Sequence, residues 1–216
     1  MKVNGKVRLT SFFLILATAL TLCSGCVTMG RRNPTATITF SNGVEIVVRL
    51  YYDKAPNTVK NFIYLAESGF YNGLKVHRVV KYNLIQMGDP NGDGTGDAGY
   101  CIKGEFPNNG YKKNDLSLTE GMVAMGRLGS TNDDSKYYDT ASCQFFITVN
   151  DKSHTLDGDY AVFGKVIKGY EEFQEMQYAE VDENKCPLED IFIESITIET
   201  FGENYGKPKT IKKKDA

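Results

Sequence analysis

Tryptophan is absent from this 216-residue chain, and histidine occurs only twice, at His77 and His154. So few imidazoles make a histidine-rich metal centre a poor reading. Neither a G-x-S-x-G elbow nor an H-E-x-x-H pair is present, which removes the common serine-hydrolase and zinc-peptidase signatures. An excess of positive charge is also lacking. Twenty-five Lys+Arg stand against 27 Asp+Glu, for a net charge of -2 and a pI near 5.8, so nothing points to a nucleic-acid partner. The one long apolar run, Phe12 to Leu22, falls short of the roughly 20 residues that a membrane-spanning helix needs. Of the five cysteines, Cys101, Cys143 and Cys186 form an odd, widely spaced set in the chain body, so neither a disulfide framework nor a zinc site is indicated.

What is present is ordinary for a folded chain: 41% apolar residues and 24% charged, with 21 glycines and 13 tyrosines that suit a turn-rich β protein. Lys2, Lys6 and Arg8, the apolar run and the small residues after it follow the grammar of a secretory signal over residues 1–25. An uncleaved signal anchor is the alternative. Cys23-Ser24-Gly25-Cys26 resembles a bacterial lipobox, which implies lipidation of Cys26 and an extracytoplasmic, membrane-anchored chain. Cys23 stands where such signals usually carry leucine, and an ordinary signal cleaved near Cys26 is the plainer reading.

A linker over residues 26–34 leads to a domain over 35–200 and a polar tail over 201–216, read as a solvated appendage. Thr35 to Phe40 and Val44 to Tyr51 flank Asn42-Gly43 and predict a hairpin with a type I′ turn. Val59, Phe62, Ile63 and Ala66 recur at helical spacing after Pro56, ending near Gly69. Short β runs follow at Lys75–Val80, Leu84–Met87, Gly121–Met125, Gln144–Val149 and Tyr160–Val166. A helical segment over Tyr170–Gln177 then precedes a last strand, Ile191–Glu199. Short strands with two helices predict a mainly β chain, a closed antiparallel barrel rather than a parallel α/β sheet.

Two motifs mislead. Gly94-Thr-Gly96-Asp-Ala-Gly99 has the letters of a dinucleotide loop but opens no helix. Asp89-Pro-Asn91-Gly-Asp93-Gly94 begins like a calcium loop, yet its twelfth position is Tyr100 rather than glutamate.

Five blocks in order carry the function: Ala55-Pro56 to Phe62; Val76-His77-Arg78-Val79-Val80 with Gln86-Met87-Gly88-Asp89; Gly121 to Met125; Ser142-Cys143-Gln144-Phe145-Phe146-Ile147; and Leu156-Asp157-Gly158 to Gly164. Together they resemble the cyclophilin signature from about Thr35 to Glu199. The resemblance implies an eight-stranded barrel capped by two α-helices, and peptidyl-prolyl cis-trans isomerase activity with no cofactor and no metal. The partners it implies are Pro-containing unfolded or exported proteins, with the chain itself a monomer. It further implies that Arg78 is the catalytic arginine, that Gln86 holds substrate backbone, and that Phe146 and Leu156 wall the proline pocket. Leu84, Gly126, Arg127 and Tyr160 take substrate-binding positions, with His77 in support. Asn83 stands where the family commonly has phenylalanine, and Thr155 where some members have tryptophan, so weak cyclosporin binding is expected.

These residue types suit the reaction. Rotation about an X-Pro bond faces a barrier of roughly 18–20 kcal/mol from lost amide resonance. The twisting nitrogen regains its lone pair, and a guanidinium aimed at it binds the twisted amide better than either planar one. Taken singly, Arg78 would read as a solvated strand charge. Alternation along Gln144–Val149 would bury Phe145 and turn Phe146 to a groove. The alternative function is a catalytically weak Pro-peptide-binding module of the same fold.

Overall fold

The computed structural model describes residues 32–129 and 135–213, without the side chains of 152–154. The expected signal segment and Cys26 lie outside the described residues. Eight strands form one antiparallel sheet: β1 (Thr35–Phe40), β2 (Glu45–Leu50), β3 (Val76–Val80), β4 (Leu84–Met87), β5 (Met122–Met125), β6 (Phe145–Thr148), β7 (Val162–Lys168) and β8 (Ile193–Glu199). Their order is β3-β4-β6-β5-β7-β2-β1-β8. The sheet curls until its edges approach, but β3 and β8 do not form a continuous ladder. Only the isolated Lys75–Phe192 bridge and neighbouring bonds such as Val76 N to Ile191 O (2.8 Å) join them. The barrel is therefore curled and nearly shut rather than fully closed.

The hairpin at residues 40–45 departs from the two-residue turn predicted. Only Gly43 has a positive φ (85°). Gly43 N donates to Phe40 O and Phe40 N to Val44 O, both at 2.9 Å. Ser41-Asn42-Gly43 thus forms a three-residue loop with glycine at its left-handed position, the next most favoured hairpin closure.

Helix α1 (Pro56–Glu67) starts with proline at a first-turn position, where no backbone donor is wasted. It buries Val59, Phe62, Ile63 and Ala66, the predicted stripe, inside the curl. Phe62 stacks there on Tyr71, Phe145 and Phe163 at 5.5, 5.3 and 5.2 Å. No side chain from its own N-cap closes the helix start. Buried Glu105, far along the chain, does so instead: Oε2 accepts from Thr58 N and Thr58 Oγ1 (both 2.8 Å), and Oε1 from Asn57 N (3.1 Å). A carboxylate placed there meets the positive end of the helix dipole. Helix α2 (Tyr170–Glu175) lies against β2 and buries Phe173.

The tail is mostly exposed over its described length but is fastened to the domain at several points. Tyr205 enters the core beside Tyr52 (ring centroids 5.0 Å apart), and Lys209 exchanges two hydrogen bonds with Asn57 (2.7 and 2.9 Å). Ile211 pairs with Cys101 through two backbone bonds of 2.8 and 3.0 Å.

Candidate active site

Cross-strand pairing sets Arg78 opposite Gln86, Gln86 opposite Phe146, and Phe146 opposite Ala124. One row therefore runs across β3, β4, β6 and β5 on the outer face of the curl. Period-two alternation sends their neighbours Val79, Ile85 and Phe145 into the interior core.

A bulge fixes which face Arg78 takes. Val76 pairs with Met87 and Arg78 with Gln86, so two β3 steps match one β4 step, with His77 as the extra residue. In an unbulged strand of the same residues, Val76 and Arg78 would share a face. With the bulge, Val76 joins the core while Arg78 stands exposed.

Around Phe146 lies a second apolar cluster, separate from the core: Leu84, Leu118, Met122, Ala124 and Val162, with half-buried Leu156 and Tyr160 at its rim. Phe146 is 3% exposed and meets Tyr160 edge-on at 5.3 Å. The predicted division of the adjacent phenylalanines holds, with Phe145 in the core and Phe146 in this outer cluster.

A glutamine relay orients the polar half. Gln144 Nε2 donates to Gly94 O and Gly96 O (both 2.9 Å), and Gln144 Oε1 accepts from Gln86 Nε2 (2.8 Å). Gln86 Oε1 then faces Arg78 Nη1 at 3.4 Å, a long bond that a substrate can replace. The backbone carbonyls admit only the amino end of Gln144, so each amide along the relay has one favoured direction. The loop that supplies them is knotted by buried Asp89, whose carboxylate accepts from Asn91 N, Asp93 N and Gly94 N at 2.9, 3.1 and 2.5 Å. Gly96 must stay glycine, because an added Cβ would overlap that carboxylate. The calcium-like letters thus mark a loop whose first carboxylate is occupied by backbone donors.

The structure adds detail at three of the expected site residues. His77 is 5% exposed, and neither ring nitrogen has a hydrogen-bond partner among the described residues, so its ring is enclosed by the fold. Burial holds its pKa below the ordinary value, with Asp89 opposing and Arg78 reinforcing that shift. Asn83 is half-buried and adds no apolar wall; its carbonyl accepts Val149 N (2.9 Å). Arg127 lines the hollow beside Gln86 and Gln144. Its guanidinium stacks over Tyr160, Tyr138 and Phe106 at 4.7, 5.1 and 5.6 Å, and Nε donates to Asp159 O (2.8 Å). It braces the rim behind Tyr160. Gly126 N donates to Gln144 O (2.7 Å). Thr155 is exposed beside Leu156.

Sequence reasoning missed Gln144 as a site residue. Its spacing of two from Phe146 already placed both on one strand face.

The chain matches the family model described as cyclophilin type peptidyl-prolyl cis-trans isomerase/CLD over residues 35–198. The chain belongs to the cyclophilin family. Rat peptidyl-prolyl cis-trans isomerase-like 3 is 36% identical over 155 residues, covering 71% of this chain and 89% of the relative. A Helicobacter pylori peptidyl-prolyl cis-trans isomerase is 40% identical over 131 residues, 61% of this chain and 71% of that one. Among solved structures, a cyclophilin type peptidyl-prolyl cis-trans isomerase of Cryptosporidium parvum superposes with a TM-score of 0.66 at 29% identity, covering 77% of this chain and 97% of its own. The same Cryptosporidium protein, solved in the presence of the dipeptide Ala-Pro, gives a TM-score of 0.65 at 28% identity, covering 76% and 98%. The fold and the enzyme class are those of a cyclophilin.

Proposed function

We propose that this cyclophilin rotates X-Pro bonds in exported proteins, with Arg78 stabilising the twisted amide. The observation that carries the reading is the register row that sets Arg78, Gln86 and Phe146 side by side. The proline ring rests on the Phe146 cluster beside Leu84 and Leu156, while Gln86, held by Gln144, grips the backbone across from it. With one end fixed, the guanidinium donates to the amide nitrogen as its lone pair re-forms. Planar isomers offer no such acceptor, so the contact strengthens only at the top of the barrier. The lipobox at Cys26 supports action at a membrane surface on chains emerging from export.

A fluorescence or NMR exchange assay on an Ala-Pro peptide tests this. Arg78→Ala should lose about a hundredfold in kcat/KM, the usual cost of deleting one preorganised donor to developing charge. Equal rates for the variant and the wild type would end the reading. Mass spectrometry of the N-terminus, showing a lipid-modified Cys26 or a different start, decides the anchor.

Asn83 favours a second reading. It leaves the apolar cluster one wall short, a loss worth roughly 1–3 kcal/mol of ring binding. On that reading the domain holds Pro-containing segments without useful turnover. Peptide binding with rates equal to buffer would identify it.

A further inference from the structure

Beside the row, on the far side of Gln86 from Arg78, lies a pocket of ≈ 330 Å³ lined in part by Gln86, Gly126, Leu128, Ser142, Gln144 and the tail residue Lys213. The tail is delivered there by a series of fastenings. Tyr205 is buried, Lys209 is bonded both ways to Asn57, and Ile211 is paired with Cys101, itself on the pocket wall. Two residues beyond that last pairing, Lys213 Nζ reaches Asp97 Oδ2 at 2.5 Å.

Building on the isomerase reading, we infer that the tail's Lys213 sets substrate preference: the pocket receives the side chain of a residue flanking the X-Pro pair, and Lys213 favours an acidic one. The sign follows from which member of the ion pair faces outward. The Lys213 side chain is 54% exposed and that of Asp97 20%, so an incoming side chain meets the ammonium first. Asp97 is engaged on its other oxygen as well, where Gly99 N donates at 2.7 Å. Exposed Lys212 and Lys103 adjoin the Ile211–Cys101 pairing, and Arg78 stands exposed on the opposite side of Gln86. The pocket lining itself holds two cations, Lys213 and Arg127, against one carboxylate, Asp97, which competes with an acidic substrate for the same ammonium.

The test measures isomerisation by NMR exchange with the full chain and peptides carrying Glu, Ala or Lys two residues before or two residues after proline. At low salt the wild type should turn over one Glu peptide about two- to fivefold faster in kcat/KM than its Ala counterpart, the range expected of an exposed ion pair. Lys213→Ala should bring that ratio to near one, and Lys213→Arg should keep it. Asp97→Asn should raise it by removing the competitor. Lys207→Ala, a tail lysine stacked on Tyr64 at 5.9 Å outside the pocket, should leave it unchanged. A wild-type ratio of one at both positions, or a ratio that survives Lys213→Ala, overturns the inference while leaving the isomerase reading intact. Failure to turn over the Ala peptides overturns both.

Discussion

Replacing Gln144 by leucine isolates what the relay contributes. The substitution keeps the approximate volume but deletes three hydrogen bonds: two to the Gly94 and Gly96 carbonyls and one from Gln86. At about 0.5–1.5 kcal/mol each, and with Gly94 open to solvent, the loss in stability should be about 1–3 kcal/mol. The catalytic effect has another origin. Gln86 would then be able to turn its amide end for end, presenting a donor where Arg78 now finds an acceptor. Ordering a glutamine or arginine side chain afresh in each encounter costs up to about 2 kcal/mol. A share of about 1.4 kcal/mol falling on the barrier gives a tenfold loss in kcat/KM. A positioning role predicts that kcat falls, whereas a purely structural one shows only in the melting temperature. Gln144→Glu should act in the same direction, because a carboxylate accepts from Gln86 but repels the two loop carbonyls. If Gln144→Leu keeps kcat/KM within twofold of wild type while its melting temperature falls, the relay has no part in catalysis.

Two further outcomes follow from buried polar groups. Glu105→Gln should lower stability by about 2 kcal/mol, because an amide keeps one acceptor oxygen where the carboxylate offers two to the start of α1. Thermal unfolding should show this as a fall of about 2–4 °C per kcal/mol, and an unchanged melting temperature would refute the capping role. His77 must stay neutral in the fold because burial lowers its pKa against the pull of Asp89 and Asp93. Its contribution is intact above the unfolded value near 6.5 and is lost as pH falls below it, since the unfolded chain takes the proton first. Wild type should therefore lose stability relative to His77→Phe between about pH 7 and about pH 5. Parallel melting curves for the two would contradict this.

The parts legible in the sequence were those with short-range causes. The Val59, Phe62, Ile63 and Ala66 spacing gave α1, and alternation separated Phe145 from Phe146. The hairpin was found but its turn misjudged, because Asn-Gly also closes a three-residue loop and only the register decides between them. Glu105 capping a helix 47 residues away, the docking of Tyr205 and Ile211, and the Gln86–Gln144 bond depend on pairings that no local window contains. His77 lies beside Arg78 in the chain, but the bulge removes it from the alternation that would have located it.

That bulge gives the site an unusual kind of tolerance. Val76 and Arg78 occupy neighbouring rungs of the ladder, with His77 looped out as a surplus residue between them. Losing position 77 would leave plain alternation, in which Val76 still enters the core and the Arg78 cation still emerges outside. Losing position 79, where the pairing is regular, would turn the guanidinium toward Ile85 and Phe145, where an unpaired charge costs several kcal/mol. Descendants of this chain are therefore free to drop the residue before the arginine but not the one after it.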